Sequence, residues 1–202
     1  MRFLYMGVIV PLAVLIPLTI AIMHFSKLRP AEKITALYLL LGGISNGIGR
    51  YLADRSISNL YVQHIFTCVE ILLACFFFRE ALPGKRIKKW LPVVAVIFII
   101  AAVLNSLFIQ EIAVHNSYAR SISALIVIAL CLYFFKTKLA TGFNWKRDPL
   151  FWFVSGFLIY FSSSLFLFIL SNLTFVTMSK QLAWTLWNIH ATMVLIMYLL
   201  FT

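Results

Sequence analysis

Seven runs of about 20 mostly apolar residues, separated by short polar segments, constrain this chain more than any other feature. They lie near Leu4–Phe25, Ile34–Ala53, Asn59–Phe78, Trp90–Ile109, Ser117–Phe135, Pro149–Ser171 and Gln181–Thr202. An α-helix advances about 1.5 Å per residue, so each run is long enough to cross the hydrocarbon core of a bilayer. A membrane β-barrel would show alternating segments about half as long. Composition agrees with helices in a membrane. Of 202 residues, 63% are hydrophobic and 11% charged, against about 45–50% and about 25% in soluble domains. So few polar side chains could not cover a soluble surface, and the apolar excess also excludes disorder. Cys68, Cys75 and Cys131 all fall inside apolar runs. They read as packing thiols rather than a disulfide framework. The expected fold is an all-α bundle of seven transmembrane helices forming a single domain over residues 1–202.

The first run is too long for a signal-peptide core, and no small-residue cleavage site follows it. It reads as a retained helix that Pro11 and Pro17 could kink. Orientation follows from the basic residues near the run ends. Lys27, Arg29, Lys33, Arg79, Lys85, Arg86, Lys88, Lys89, Lys136, Lys138, Lys146 and Arg147 fall on one side; Arg2, Arg50, Arg55, Arg120 and Lys180 fall on the other. The first, richer side is expected to be cytoplasmic, with the N-terminus outside and the C-terminus inside a bacterial inner membrane. The formal net charge of +11 is thereby accounted for by topology and contact with anionic lipid, and nucleic acid is not an expected partner. The last run reaches Thr202 with no basic residue after it, as expected of a membrane module that continues into an output domain, or of a bare end.

Ionisable groups inside a span are costly and turn towards a partner or a cavity. Counted along the runs, Glu70 lies about 15–18 Å into the third helix, His64 about 8 Å and His190 about 12 Å from the outer side. Asn46, Arg50, Asn105, Arg120 and Asn188 also fall in outer halves. Helical spacing groups Gly42, Asn46, Gly49 and Arg50 on one face, and His64, Thr67 and Glu70 on a slanted stripe. Gly43 and Gly47 form a G-x-x-x-G pair suited to close helix packing. The strong polar groups of the inner halves, His24, Arg79 and Glu80, lie at the interface. The pattern predicts an outer-half polar cavity closed below by apolar packing, with His64, Glu70, Arg120, His190, Asn188, Asn46, Arg50 and Asn105 as its ligand-binding residues. Arg120 would attract an anionic group, and Glu70 would balance it.

Several chemistries fit poorly. A retinal pigment needs a lysine inside the last helix, where Lys180 stands only at the edge. A seven-helix zinc amidase needs three histidines and an aspartate in the membrane, but Asp54 and Asp148 lie at the edges. His64, Cys68, Glu70 and His190 are metal-ligating types without diagnostic spacing, so no metal or cofactor is expected. Ser162, Ser163 or Ser164 could be drawn into a dyad with His190, but serines in membrane helices more often bond their own backbone. No internal repeat or broken pair of helices favours transport.

Four strings carry a family likeness: His64-x-x-Thr67-x-x-Glu70; Asn116-Ser117-x-x-Arg120; Asp148-Pro149-x-Phe151-Trp152-x-x-Ser155-Gly156-x-x-x-Tyr160-Phe161-Ser162; and Trp187-x-x-His190. Together, over the third to seventh runs, they resemble a seven-helix bacterial family whose members occur alone and as the membrane module ahead of histidine kinases. The first two runs are similar to it only in hydropathy. The resemblance implies a sensor or receptor that passes a signal to a cytoplasmic kinase or other output domain. A small-molecule or proton-coupled transporter, an intramembrane lipid-modifying enzyme and a scaffold for another membrane protein are the alternatives.

Overall fold

The computed structural model describes residues 4–140, 145–177 and 179–202, with side chains for all of these except residues 145 and 170–177. Arg2 lies outside the described residues. The described chain is helical, without a strand. Helix α1 (Tyr5–Met23) opens with a π-helical turn over Tyr5–Ile9 and contains both prolines. A 3-10 turn, Phe25–Lys27, leads to α2 (Pro30–Asp54). Then come α3 (Leu60–Ala81), α4 (Lys85–Phe108), α5 (Ser117–Leu139), α6 (Pro149–Thr177) and α7 (Lys180–Leu200).

Six stretches are long and apolar enough to cross a membrane: α1, α3, α4, α5, α7 and residues Pro149–Ile169 of α6. Helix α2, at 25 residues, has the length. Its four glycines, Asn46 and Arg50 dilute its apolar character. Apolar runs mark where hydrocarbon would lie rather than where helices stop. Accordingly α2 and α4 begin several residues before their runs, and α6 continues to Thr177.

Local chemistry sets the ends. Pro30 occupies the first turn of α2, where its missing N–H costs nothing. Glu32 reaches back to accept the Arg29 backbone N–H at 2.8 Å. Asp148 caps α6 by accepting from the Leu150 N–H at 3.1 Å. After α3, Pro83 and Gly84 reverse the chain, and Gly84 has φ +97°, a conformation open to glycine.

Consecutive helices pack side by side, and α1 closes the ring by lying against both α2 and α7. Helix α3 also touches α5, and α2 touches α6, so the core forms where these four meet. At its lower end the core is a cluster of rings. Phe157 stacks edge-on against Phe77 at 5.3 Å and Phe201 at 5.0 Å, and Phe153 against Phe201 at 5.2 Å. Phe77, Phe78 and Phe134 are almost fully enclosed. Cys75 and Cys131 are buried among them as free thiols.

Two basic residues at this end, Arg29 and Lys138, are held by ion pairs. Arg29 Nε lies 2.7 Å from Glu32, Arg29 Nη2 lies 2.9 Å from Asp148, and Lys138 Nζ lies 3.5 Å from the other Asp148 oxygen. Three helix ends are thus fastened at one level: the start of α2, the end of α5 and the start of α6. Partial burial raises the Asp148 pKa, but the Arg29 hydrogen bond, the Leu150 N–H and the charges of Arg29 and Lys138 outweigh it and hold the carboxyl below its usual range. A depressed carboxyl pKa adds stability above the ordinary aspartate range, and that stability is lost as pH falls through the lowered value. Thermal melts in detergent from neutral to acid pH should therefore show a smaller acid-induced loss for Asp148→Asn, which starts from a lower melting point at neutral pH.

The glycines are used unevenly. A methyl on Gly156 would stand 2.7 Å from Phe201 Cε1, inside the ring cluster. One on Gly43 would touch Val14 of α1 at 3.6 Å, while Gly47 has nothing within 4 Å. The Gly43–Gly47 pair thus supports a close approach only at Gly43. Gly156→Ala should lower stability by about 1–3 kcal/mol through overpacking, whereas Gly47→Ala should be neutral or stabilising by up to about 1 kcal/mol. Denaturation of the two variants side by side checks both.

Candidate functional site

Glu70 is fully buried on α3, in the stripe with His64 and Thr67. Its Oε1 accepts a hydrogen bond from the Tyr38 hydroxyl at 3.1 Å, and its Oε2 is buried with no hydrogen-bond partner among the described residues. On the facing side, Arg120 of α5 reaches inwards. Its Nη2 donates to the Tyr160 hydroxyl at 3.3 Å, and its guanidinium carbon sits 4.5 Å over the Phe168 ring. Arg120 Nε is also buried without a hydrogen-bond partner among the described residues. The two residues act on each other electrostatically but form no ion pair within 4.0 Å.

His190 of α7 joins this layer. Its Nδ1 shares a 2.8 Å hydrogen bond with Ser164 Oγ, and its ring contacts Tyr160, Phe168 and Trp187 at 5.6, 5.9 and 5.6 Å between centroids. Because Arg120 and His190 both touch Tyr160 and Phe168, they stand at one level. Phe168 thus lies beside the start of α5, and the later turns of α6, with the opening of α7, run on past it. Depth counted along single runs missed this stagger. The layer draws on α2, α3, α5, α6 and α7, and the phenylalanine rings close it below.

Ser164 is fully enclosed. No carboxylate is hydrogen-bonded to His190 among the described residues, so its pairing with Ser164 has the form of a packing hydrogen bond, not of an activated nucleophile. No three described His, Cys, Asp or Glu residues stand close enough to hold a metal ion.

His64 belongs to a second group, beside the α4–α5 loop. Its Nε2 faces the Val114 carbonyl at 3.1 Å, and its Nδ1 faces Ser106 Oγ at 2.8 Å. A carbonyl only accepts, so Nε2 carries hydrogen. Ser106 Oγ also lies 3.0 Å from the Ala102 carbonyl. His64 thereby ties α3 to Ser106 of α4 and to Val114 in the α4–α5 loop. His115, in that loop, is held neutral further into the acid range, mainly by burial and then by the charges of Arg120 and His64.

The remaining predicted residues are placed apart from the central layer. Asn105 Nδ2 donates to Gln110 Oε1 at 3.4 Å, and Gln110 Nε2 in turn donates to Ser117 Oγ at 2.8 Å, a chain that ties the α4–α5 loop. Asn188 Nδ2 donates to the Trp184 carbonyl at 2.9 Å and lines a surface cleft of about 330 Å³ along α7 with Gln181, Thr185 and Thr192. Asn46 is exposed. Arg50 is exposed too, pairs with Asp54 at 3.2 Å and donates to the Gly7 carbonyl at 3.2 Å. The structure thus gathers Glu70, Arg120 and His190, sets His64 above them, and leaves Asn46, Arg50, Asn105 and Asn188 outside.

Three members escaped the site reading: Tyr38, Phe168 and Tyr160, which stood only in a family string. Tyr38 shares the inward face of α2 with Ala31 and Thr35, a spacing of four and three that marks the buried side. Phe168 carried no signal, because its role depends on the stagger between α5 and α6.

No family model, curated protein or solved structure matches the chain. The layer must be read from its own chemistry. Tyr38→Phe leaves Glu70 without its only described hydrogen bond and should cost about 1–3 kcal/mol. Glu70→Gln keeps an acceptor for Tyr38 and should cost less. Unfolding of both variants in the same detergent gives the order.

Proposed function

We propose that this chain is a seven-span sensor or receptor module of a bacterial inner membrane, with its N-terminus outside and its basic face in the cytoplasm. The Glu70–Arg120 layer is its responding element, binding a small polar or anionic ligand or answering to protonation. The reading rests on one observation above all: two buried polar atoms without a hydrogen-bond partner among the described residues, Glu70 Oε2 and Arg120 Nε, lie in one layer on opposite charges. Unmet hydrogen-bonding capacity inside an apolar bundle is costly, and a bound donor–acceptor group would relieve it. Arg120 suits a carboxylate or phosphate, Glu70 suits a hydroxyl or ammonium, and the rings of Tyr160 and Phe168 supply flat walls.

Several helices contribute to the layer, so a change of charge there alters packing between α3, α5, α6 and α7. A ligand shifts such an equilibrium only by binding the two arrangements differently. The ring cluster beneath the layer opposes a continuous path and favours signalling over flux. The output partner is a cytoplasmic histidine kinase or another output domain, as the family likeness implies.

The test uses the full chain in nanodiscs. Tryptophan fluorescence, with Trp187 against His190, and the melting point are followed against pH and against a panel of small carboxylates and hydroxy compounds. The wild-type chain should respond to pH or to at least one compound, and folded Glu70→Gln and Arg120→Ala chains should lose that response. Variants that both respond as the wild type does would refute the reading. Proton or solute flux into liposomes lost in Glu70→Gln would replace it with a carrier.

A further inference from the structure

A second concave site lies at the basic end, away from the polar layer. It is a groove of about 460 Å³ between the start of α6 and the last turn of α7, lined by Lys146, Arg147, Pro149, Trp152, Phe153, Leu199, Leu200 and Thr202. Its lining has two chemistries. Arg147 is exposed on the short 3-10 turn before α6, and it makes no hydrogen bond or ion pair among the described residues. Lys146 stands beside it. The wall is apolar: Trp152 is 37% exposed and Leu199 57% exposed, with Phe153 and Leu200 between them. Asp148, the nearby carboxylate, is engaged by Arg29 and Lys138. Its charge is therefore offset, and the groove keeps a net positive rim.

A cationic rim above an exposed aromatic and aliphatic wall, at the level where a helix leaves an apolar span, matches an amphiphile with a negative head. A soluble anion would use the rim and leave the wall wet. A neutral lipid would use the wall and leave Arg147 unmatched. We infer that this groove seats an anionic phospholipid of the surrounding bilayer, its phosphate at Arg147 and one acyl chain along Phe153, Leu199 and Leu200. Basic residues elsewhere on this face attract anionic lipid diffusely, whereas the groove holds one molecule at the junction of α6 and α7. The lipid thus sits on the helices that carry Tyr160, Ser164 and His190.

Native mass spectrometry of the full chain released from detergent is the test, with phosphatidylglycerol or phosphatidylcholine added at equal concentration. The wild-type chain and Arg147→Lys should retain phosphatidylglycerol in preference. The Lys146→Gln/Arg147→Gln double variant should retain about tenfold less of it, with an unchanged melting point in lipid-free detergent. Equal retention of the two lipids by the wild-type chain would overturn the proposal, as would undiminished retention by the double variant. Release of the bound lipid by inorganic phosphate would also overturn it, by making a soluble anion the ligand.

Discussion

A carboxyl group in the middle of an apolar bundle dictates which way several helices must turn. Removing such a group from water costs several kcal/mol unless partners meet it. Glu70 finds Tyr38 across the α2–α3 contact and faces Arg120 from α5. Once α3 is rotated to aim Glu70 inwards, its small and aromatic residues on the same side fall into the core with it: Thr67, Ala74, Phe77 and Phe78 are all buried. Arg120 is held in turn by Tyr160 and Phe168, and the same two rings contact His190. The polar layer therefore orients the helices, and the apolar contacts around it supply most of the attraction.

Much of this was legible in the residues, for a physical reason. Length and hydropathy give helices directly, because a backbone in hydrocarbon must satisfy its own hydrogen bonds. Glu70, Arg120 and His190 could be singled out because ionisable groups are rare in spans and seldom face lipid. The apolar seal below them was visible as a lack of polar residues in the inner halves. Asn46 and Arg50 show the limit of the same logic. Their face of α2 is polar, yet the buried residues of α2 end at Leu39, and beyond it Gly43 lies against Val14 of α1 while Arg50 pairs with Asp54 of its own helix and with the Gly7 carbonyl. Spacing along one helix reports a polar face; it does not report what that face meets.

Asn105 and Asn188 illustrate a second limit. Both are amides in outer halves, but each spends its donor close by in sequence, on the α4–α5 loop and on the α7 backbone. Short-range hydrogen bonds of this kind compete with any long-range role. The stagger of α6 and α7 was hidden for another reason. Register between neighbouring helices is set by side-chain packing, here by Gly156 accepting the Phe201 ring and by Arg120 covering Phe168. Neither contact has a signature in a single run.

The polar layer and the basic end of the bundle are built from opposite materials, and this limits how the helices can move. The upper layer is polar, shared among helices and incompletely paired among the described residues, so small changes in charge can alter it. The lower end is dense with rings and fastened by Arg29, Glu32, Lys138 and Asp148. A rearrangement begun above cannot be absorbed by compressing the ring cluster, because close-packed interiors deform little. It must instead move whole helices against one another. Movement at the α6–α7 contact is constrained, since Phe201 fills the space over Gly156. Any shift of α7 at His190 is therefore carried through this contact to the last turn of the helix.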